Sequence, residues 1–100
     1  MSEAWFITGE QAAQGALEAW REATVVSAFQ AHQALDDFGY IDQVETIIAD
    51  PDTPAKTRRA WKMAQEFRRM SPTVLELAAA LELTAAQVDE LFEYALTIEA

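Results

Sequence analysis

His32 is the chain's only histidine, and it lacks the neighbours that would make it a base or a metal ligand. No serine, cysteine or aspartate motif accompanies it at a catalytic spacing, so a surface or half-buried helix position is expected. Carboxylates stand side by side at Asp36-Asp37 and Asp89-Glu90. Adjacent residues on a helix point about 100° apart, so neither pair can easily share a proton or flank one bond. Asp50-Pro51-Asp52 is too short for a calcium loop and lacks its glycine. The absence of cysteine removes disulfides, zinc-thiolate sites and thiol nucleophiles together. With no activated nucleophile or cofactor loop in view, no enzyme activity, cofactor or bound metal is expected.

The carboxylates matter more as a surface. Seventeen acids against seven bases give a net charge of −10, which disfavours direct contact with nucleic acid or anionic lipid and makes a basic protein surface the natural partner. The charge is also segregated. Residues 1–55 carry −9, residues 56–70 carry +5 and residues 71–100 carry −6. Asp36, Asp37, Asp42, Glu45, Asp50 and Asp52 fall around one predicted helix-turn-helix corner. Solvation alone accounts for such a run, and docking of a Lys/Arg-rich protein accounts for it equally. The basic stretch, Lys56 to Arg69, is expected to pair mostly with the surrounding acids or to form a solvated face.

The elements that must position these charges read as helices. Thr8 with Gln11 and Thr84 with Gln87 have capping-box spacing, while Thr53-Pro54 and Ser71-Pro72 place a cap before proline. Apolar periodicity predicts a first helix from Gly9 to Phe38 with Ala13, Leu17, Trp20, Ala28, Ala31, Leu35 and Phe38 on one face. The β-branched run Thr24-Val25-Val26 marks a kink or break, with a short strand as the alternative. A second helix follows from Ile41 to Ala49. A third runs from Pro54 to Arg69, burying Ala60, Met63, Ala64 and Phe67 and turning Arg58, Lys62 and Arg69 outward. Two more, Pro72 to Leu81 and Ala85 to Ile98, bury Val74, Leu77, Ala78 and Leu81, then Val88, Leu91, Phe92 and Ala95. The expected fold is therefore all-α, one domain over residues 1–100, in a compact bundle of about five helices closed by a C-terminal helical hairpin. Trp5-Phe6-Ile7 is expected to cover the core.

Glu76 to Val88 has the spacing of a DNA-reading helix-turn-helix, but its second helix carries Asp89, Glu90, Glu93 and Glu99 and no Lys or Arg. Phosphates would repel it, so a helical hairpin completing the core is the better reading. Met1-Ser2-Glu3 offers no basic leader, and no apolar run nears the ~20 residues of a membrane span. A cytoplasmic, free monomeric protein with no membrane contact is expected.

Two resemblances add to this. The run from Arg59 to Thr73, which includes Phe67-Arg68-Arg69-Met70-Ser71-Pro72, continues into Leu81 to Phe92 and resembles helical modules of small phage and prophage tail-region proteins. In length, acidity and cysteine-free helical character, the whole chain is similar to the anti-CRISPR proteins, in particular inhibitors of type I-F systems. That resemblance implies a phage protein in the bacterial cytoplasm that binds effector subunits and blocks target DNA. Such complexes hold DNA in cationic channels through its backbone, so carboxylates can occupy the same cations. Asp36, Asp37, Asp42 and Glu45 are the expected contact residues, with Asp89, Glu90 and Glu93 in support. The resemblance to tail-region proteins implies an alternative, a tail structural or assembly component docking through an apolar helical face.

Overall fold

A computed structural model describes the backbone of residues 9–100, with side chains from residue 12 onward. The element order is α1 (Gly9–Ala23), β1 (Val25–Ser27), α2 (Ala28–Asp37), α3 (Ile41–Ala49), α4 (Ala55–Met63), β2 (Glu66–Arg68), α5 (Pro72–Ala80) and α6 (Ala85–Leu96). The fold is mostly helical, with one small antiparallel ribbon. Among the described residues, no helix is long and apolar enough to cross a membrane. The expected Thr8 cap and Trp5-Phe6-Ile7 cover lie outside the described residues.

The expected single helix from Gly9 to Phe38 is two helices separated by a strand. Thr24-Val25-Val26 stiffens the chain against helical continuation, and extended backbone accommodates such side chains more readily. Ser27 then starts α2: its hydroxyl accepts the Gln30 N–H at 3.0 Å, and the Gln30 side chain accepts the Ser27 N–H at 2.8 Å. This reciprocal capping box fixes where the helix resumes. On α1, residues 12–16 are exposed, including the expected core residue Ala13, while Trp20 packs against the core.

The expected helix from Pro54 to Arg69 also ends early, at Met63. Ala64 turns extended, and Glu66-Phe67-Arg68 pairs with β1 in the register Val25 to Arg68, Val26 to Phe67 and Ser27 to Glu66. Phe67 thus reaches the core from a strand, beside Val26. Ending the helix there changes its inward face. Thr57 and Trp61, four residues apart, are buried on α4, while Met63 is 75% exposed. The helix begins after Pro54, which takes the N-cap position itself.

The remaining helices follow their sequence signals. Gly39, at φ +83°, makes the turn out of α2 that a side chain would strain. Ser71 caps α5 ahead of Pro72, and Thr84 with Gln87 forms the full capping box of α6. Val88, Leu91, Phe92 and Ala95 are buried as expected. The principal neighbour of α6 is α2, with α5 set against α3 and α4. Phe38, expected on the buried face, caps α2 and is 40% exposed.

The core joins Val26, Ala34, Val44, Ile48, Trp61, Phe67, Leu77 and the buried face of α6, around an apolar cavity of about 60 Å³. The corrected face of α4 is testable by urea denaturation. Trp61→Ala should cost about 3–5 kcal/mol, and Met63→Ala should stay within about 0.5 kcal/mol. The reverse order would mean that α4 turns its Met63 face inward.

Candidate functional site

The structure divides the expected carboxylates into one internal group and one surface. Asp89 is internal. It is 7% exposed and accepts hydrogen bonds from two arginines. Arg21, in the last turn of α1, donates Nη2 to Oδ2 at 2.7 Å and Nε to Oδ1 at 3.0 Å. Arg69 donates Nε to Oδ1 at 2.8 Å and Nη2 to the Ala85 carbonyl at 3.2 Å. Burial acts to raise the Asp89 pKa, but the bonds from Arg21 and Arg69 outweigh it and hold the carboxyl below its ordinary value. Asp89 therefore leaves the expected partner-facing set. Arg69, expected on an outward face, is 3% exposed.

The surface group comprises Asp36, Asp37, Asp42, Glu45, Glu90 and Glu93, all exposed. Its organising contact joins α2 to α6. The Tyr94 hydroxyl donates to Asp37 Oδ2 at 2.5 Å, and Gln33 Nε2 donates to Oδ1 at 2.9 Å. These bonds favour the ionised form and lower the Asp37 pKa, Tyr94 contributing more than Gln33. The same contact raises the Tyr94 pKa. Phe38 meets the Tyr94 ring edge-on, with centroids 5.1 Å apart, and Glu90 lies one helical turn before Tyr94 on the same side of α6. Asp37 and Glu90 thereby flank a half-exposed aromatic pair, and Asp36 is exposed one position earlier in the last turn of α2. Glu93 points further round α6. Asp42 lies in the first turn of α3, where a carboxylate suits the helix dipole.

Glu45 belongs to a different neighbourhood, because its charge acts on His32. The His32 ring stacks on Trp61 with centroids 3.9 Å apart and planes inclined by 19°. Its Nε2 is buried with no hydrogen-bond partner. Burial lowers the His32 pKa against the opposing pull of Glu45, which favours a neutral, packed ring. Neither phenol nor thiol, nor any serine hydroxyl, approaches it among the hydrogen bonds of the described residues.

The basic segment is neutralised only in part. Among the described residues, both ion pairs go to Asp89, through Arg21 and Arg69. Arg58 donates Nε to the Thr53 carbonyl at 3.1 Å, while Lys56, Arg59, Lys62 and Arg68 are exposed without an ion pair. Among the described residues, ion pairing in this segment is thus confined to Arg69, and Lys56, Arg59, Lys62 and Arg68 form the solvated face that was the other expectation. Among the described residues, no three His, Asp or Glu side chains converge in a way that could hold a metal ion.

Two contributors carry little local signal in the sequence, Tyr94 and the inward turn of Asp89. Asp89 follows Val88 and precedes Phe92 by three positions, so it borders the apolar face of α6. An acid at such a border, with arginines available elsewhere in the chain, was the readable sign. Comparison with family models, curated proteins and solved structures gives no match to this chain.

The pairing at Asp89 has a definite pH dependence. A depressed folded-state pKa contributes stability above the ordinary carboxylate range, and that stability is lost as pH falls through the folded value. Asp89→Asn should cost about 3–5 kcal/mol near neutrality, because it leaves Arg69 buried without its counter-charge. In urea denaturation, the gap from wild type should close as the pH drops below the carboxylate range. A gap independent of pH would remove ionisation from the explanation.

Proposed function

We propose that the protein is a non-enzymatic, stoichiometric inhibitor whose carboxylate surface binds cationic residues of a nucleic-acid-handling complex. Following the resemblance to phage-encoded anti-CRISPR proteins, the proposed target is a type I-F surveillance complex in the bacterial cytoplasm, and the proposed effect is loss of target DNA binding. The observation that carries this reading is the Tyr94 to Asp37 bond, which draws acids 53 or more positions apart in the chain onto one surface around exposed aromatic rings.

The placement of these acids supports binding over plain solvation. Asp36 and Asp37 occupy the last turn of α2, which carries no basic residue. The helix dipole is negative at that end, so a carboxylate there carries a local electrostatic cost, which the Tyr94 and Gln33 bonds offset at Asp37 and which no side-chain bond offsets at Asp36 among the described residues. Acids kept against such a cost are a common mark of function. Tyr94 and Phe38 add what a carboxylate cluster lacks. Exposed rings can bury against a partner and accept arginine or lysine over their faces. Opposite charge on the target speeds encounter, and the same cations are then withheld from DNA phosphates.

The test uses a purified type I-F surveillance complex and labelled target DNA. Wild-type protein should abolish DNA binding near equimolar ratio. Asp36→Lys combined with Glu90→Lys should weaken inhibition at least about tenfold, equivalent to 1.4 kcal/mol. Asp36→Lys alone should unfold no more easily than wild type, because a cation suits the helix end. Undiminished DNA binding at saturating protein would refute the proposal. Full inhibition by the double variant would place the contact elsewhere on the protein.

A further inference from the structure

A second concave surface lies away from the Tyr94 corner. The loop between α3 and α4 and the outer side of α5 enclose a groove of about 380 Å³. Ile47, Pro54 and Leu77 give it apolar lining, and Asp50, Asp52 and Glu76 line it as well. The loop is held in shape by its own bonds. The Asp50 carboxylate accepts the Asp52 N–H at 2.8 Å, and the Thr53 hydroxyl donates to the Ile47 carbonyl at 2.6 Å. Across the groove, the buried Thr57 hydroxyl donates to Glu76 Oε2 and orients that carboxylate. Each carboxyl group keeps lone pairs for a further donor. Among the described residues, none of the three makes an ion pair; of the α4 bases nearest this loop, Arg58 is bonded to the Thr53 carbonyl and Lys56 is exposed.

We infer that this groove is a socket for an arginine side chain carried by an extended segment of a protein partner. An apolar lining edged by carboxylates, of which Asp50 and Glu76 are held by hydrogen bonds, complements a side chain with an aliphatic stem and a cationic head. Arginine fits better than lysine, because its planar fork can bond two carboxylates at once. A purely apolar occupant would leave those carboxylates partly desolvated and unpaired. The inference depends on charge complementarity in this groove alone, and it holds whichever protein carries the arginine.

The experiment needs no effector complex, so its outcome is separate from that of the inhibition assay. Methyl and amide NMR spectra of the full chain are followed while N-acetyl-Leu-Arg-Leu-amide is added. The control peptide carries citrulline, which keeps the shape of arginine without its charge. Expected are shifts confined to Ile47, Leu77 and the Asp50 to Thr53 loop, with millimolar affinity of the order a lone side chain supplies. The citrulline peptide should bind at least about fivefold more weakly. Asp52→Asn, on the exposed loop, should weaken the arginine peptide severalfold and leave the spectrum otherwise intact. Glu76→Gln, which still accepts from Thr57, should do the same. Equal binding of the two peptides, shifts centred elsewhere, or no shift at Ile47 and Leu77 at saturating peptide would overturn the inference.

Discussion

One buried carboxylate ties the chain together. Asp89 on α6 accepts from Arg21, 68 positions earlier, and from Arg69, 20 positions earlier. A charge removed from water must be paired and bonded or it becomes costly, so these segments have little freedom to part. Arg69 extends the effect. Its backbone N–H donates to the Thr24 carbonyl at 3.0 Å, continuing the β1 to β2 ladder, and its guanidinium reaches the first turn of α6. The ribbon, the end of α1 and the start of α6 are therefore positioned by one cluster of charge-assisted bonds. The cluster holds two cations and one anion, so Arg21 sits at its more exposed edge, where water screens the excess charge.

The same constraint explains where the helices stop. A three-residue strand has little stability of its own, and each strand here exists through its partner forty residues away in sequence. Helix periodicity is local and was readable: α3, α5 and α6 follow from caps, proline positions and apolar spacing. Strand pairing is not local. Thr24-Val25-Val26 announced a break in the first helix, but its resolution as a strand depended on Glu66-Phe67-Arg68, which in isolation fits a helical face as well. Ser27 with Gln30 was a legible helix start within the long apolar stretch. That signal separates α1 from α2 and leaves the ribbon unspecified.

The acid surface was legible in composition and only partly in arrangement. Asp36, Asp37, Asp42, Glu45, Glu90 and Glu93 are exposed, as their sequence context suggested. The contact between the acidic end of α2 and α6 comes from tertiary packing of the two helices, which no local pattern encodes. Asp89 shows the converse. Similar in sequence to Glu90, it differs in role by one helical step, which carries it from solvent to the edge of the core. Charge segregation in the sequence thus becomes two separate things in the fold: an internal pairing that sets the architecture, and a set of exposed carboxylates, of which Asp36 and Asp37 stand at a helix end where the backbone dipole opposes them.

The division between the paired carboxylate and the surface ones is the claim on which both architecture and proposed binding rest. It is tested most directly by ¹³C NMR titration of the side-chain carboxyl groups in the intact protein. Asp89 should stay ionised to a pH below the ordinary aspartate range, with Arg69 Hε protected from exchange over the same interval. Asp89 titrating at an ordinary aspartate value, with Arg69 Hε freely exchanging, would contradict the account.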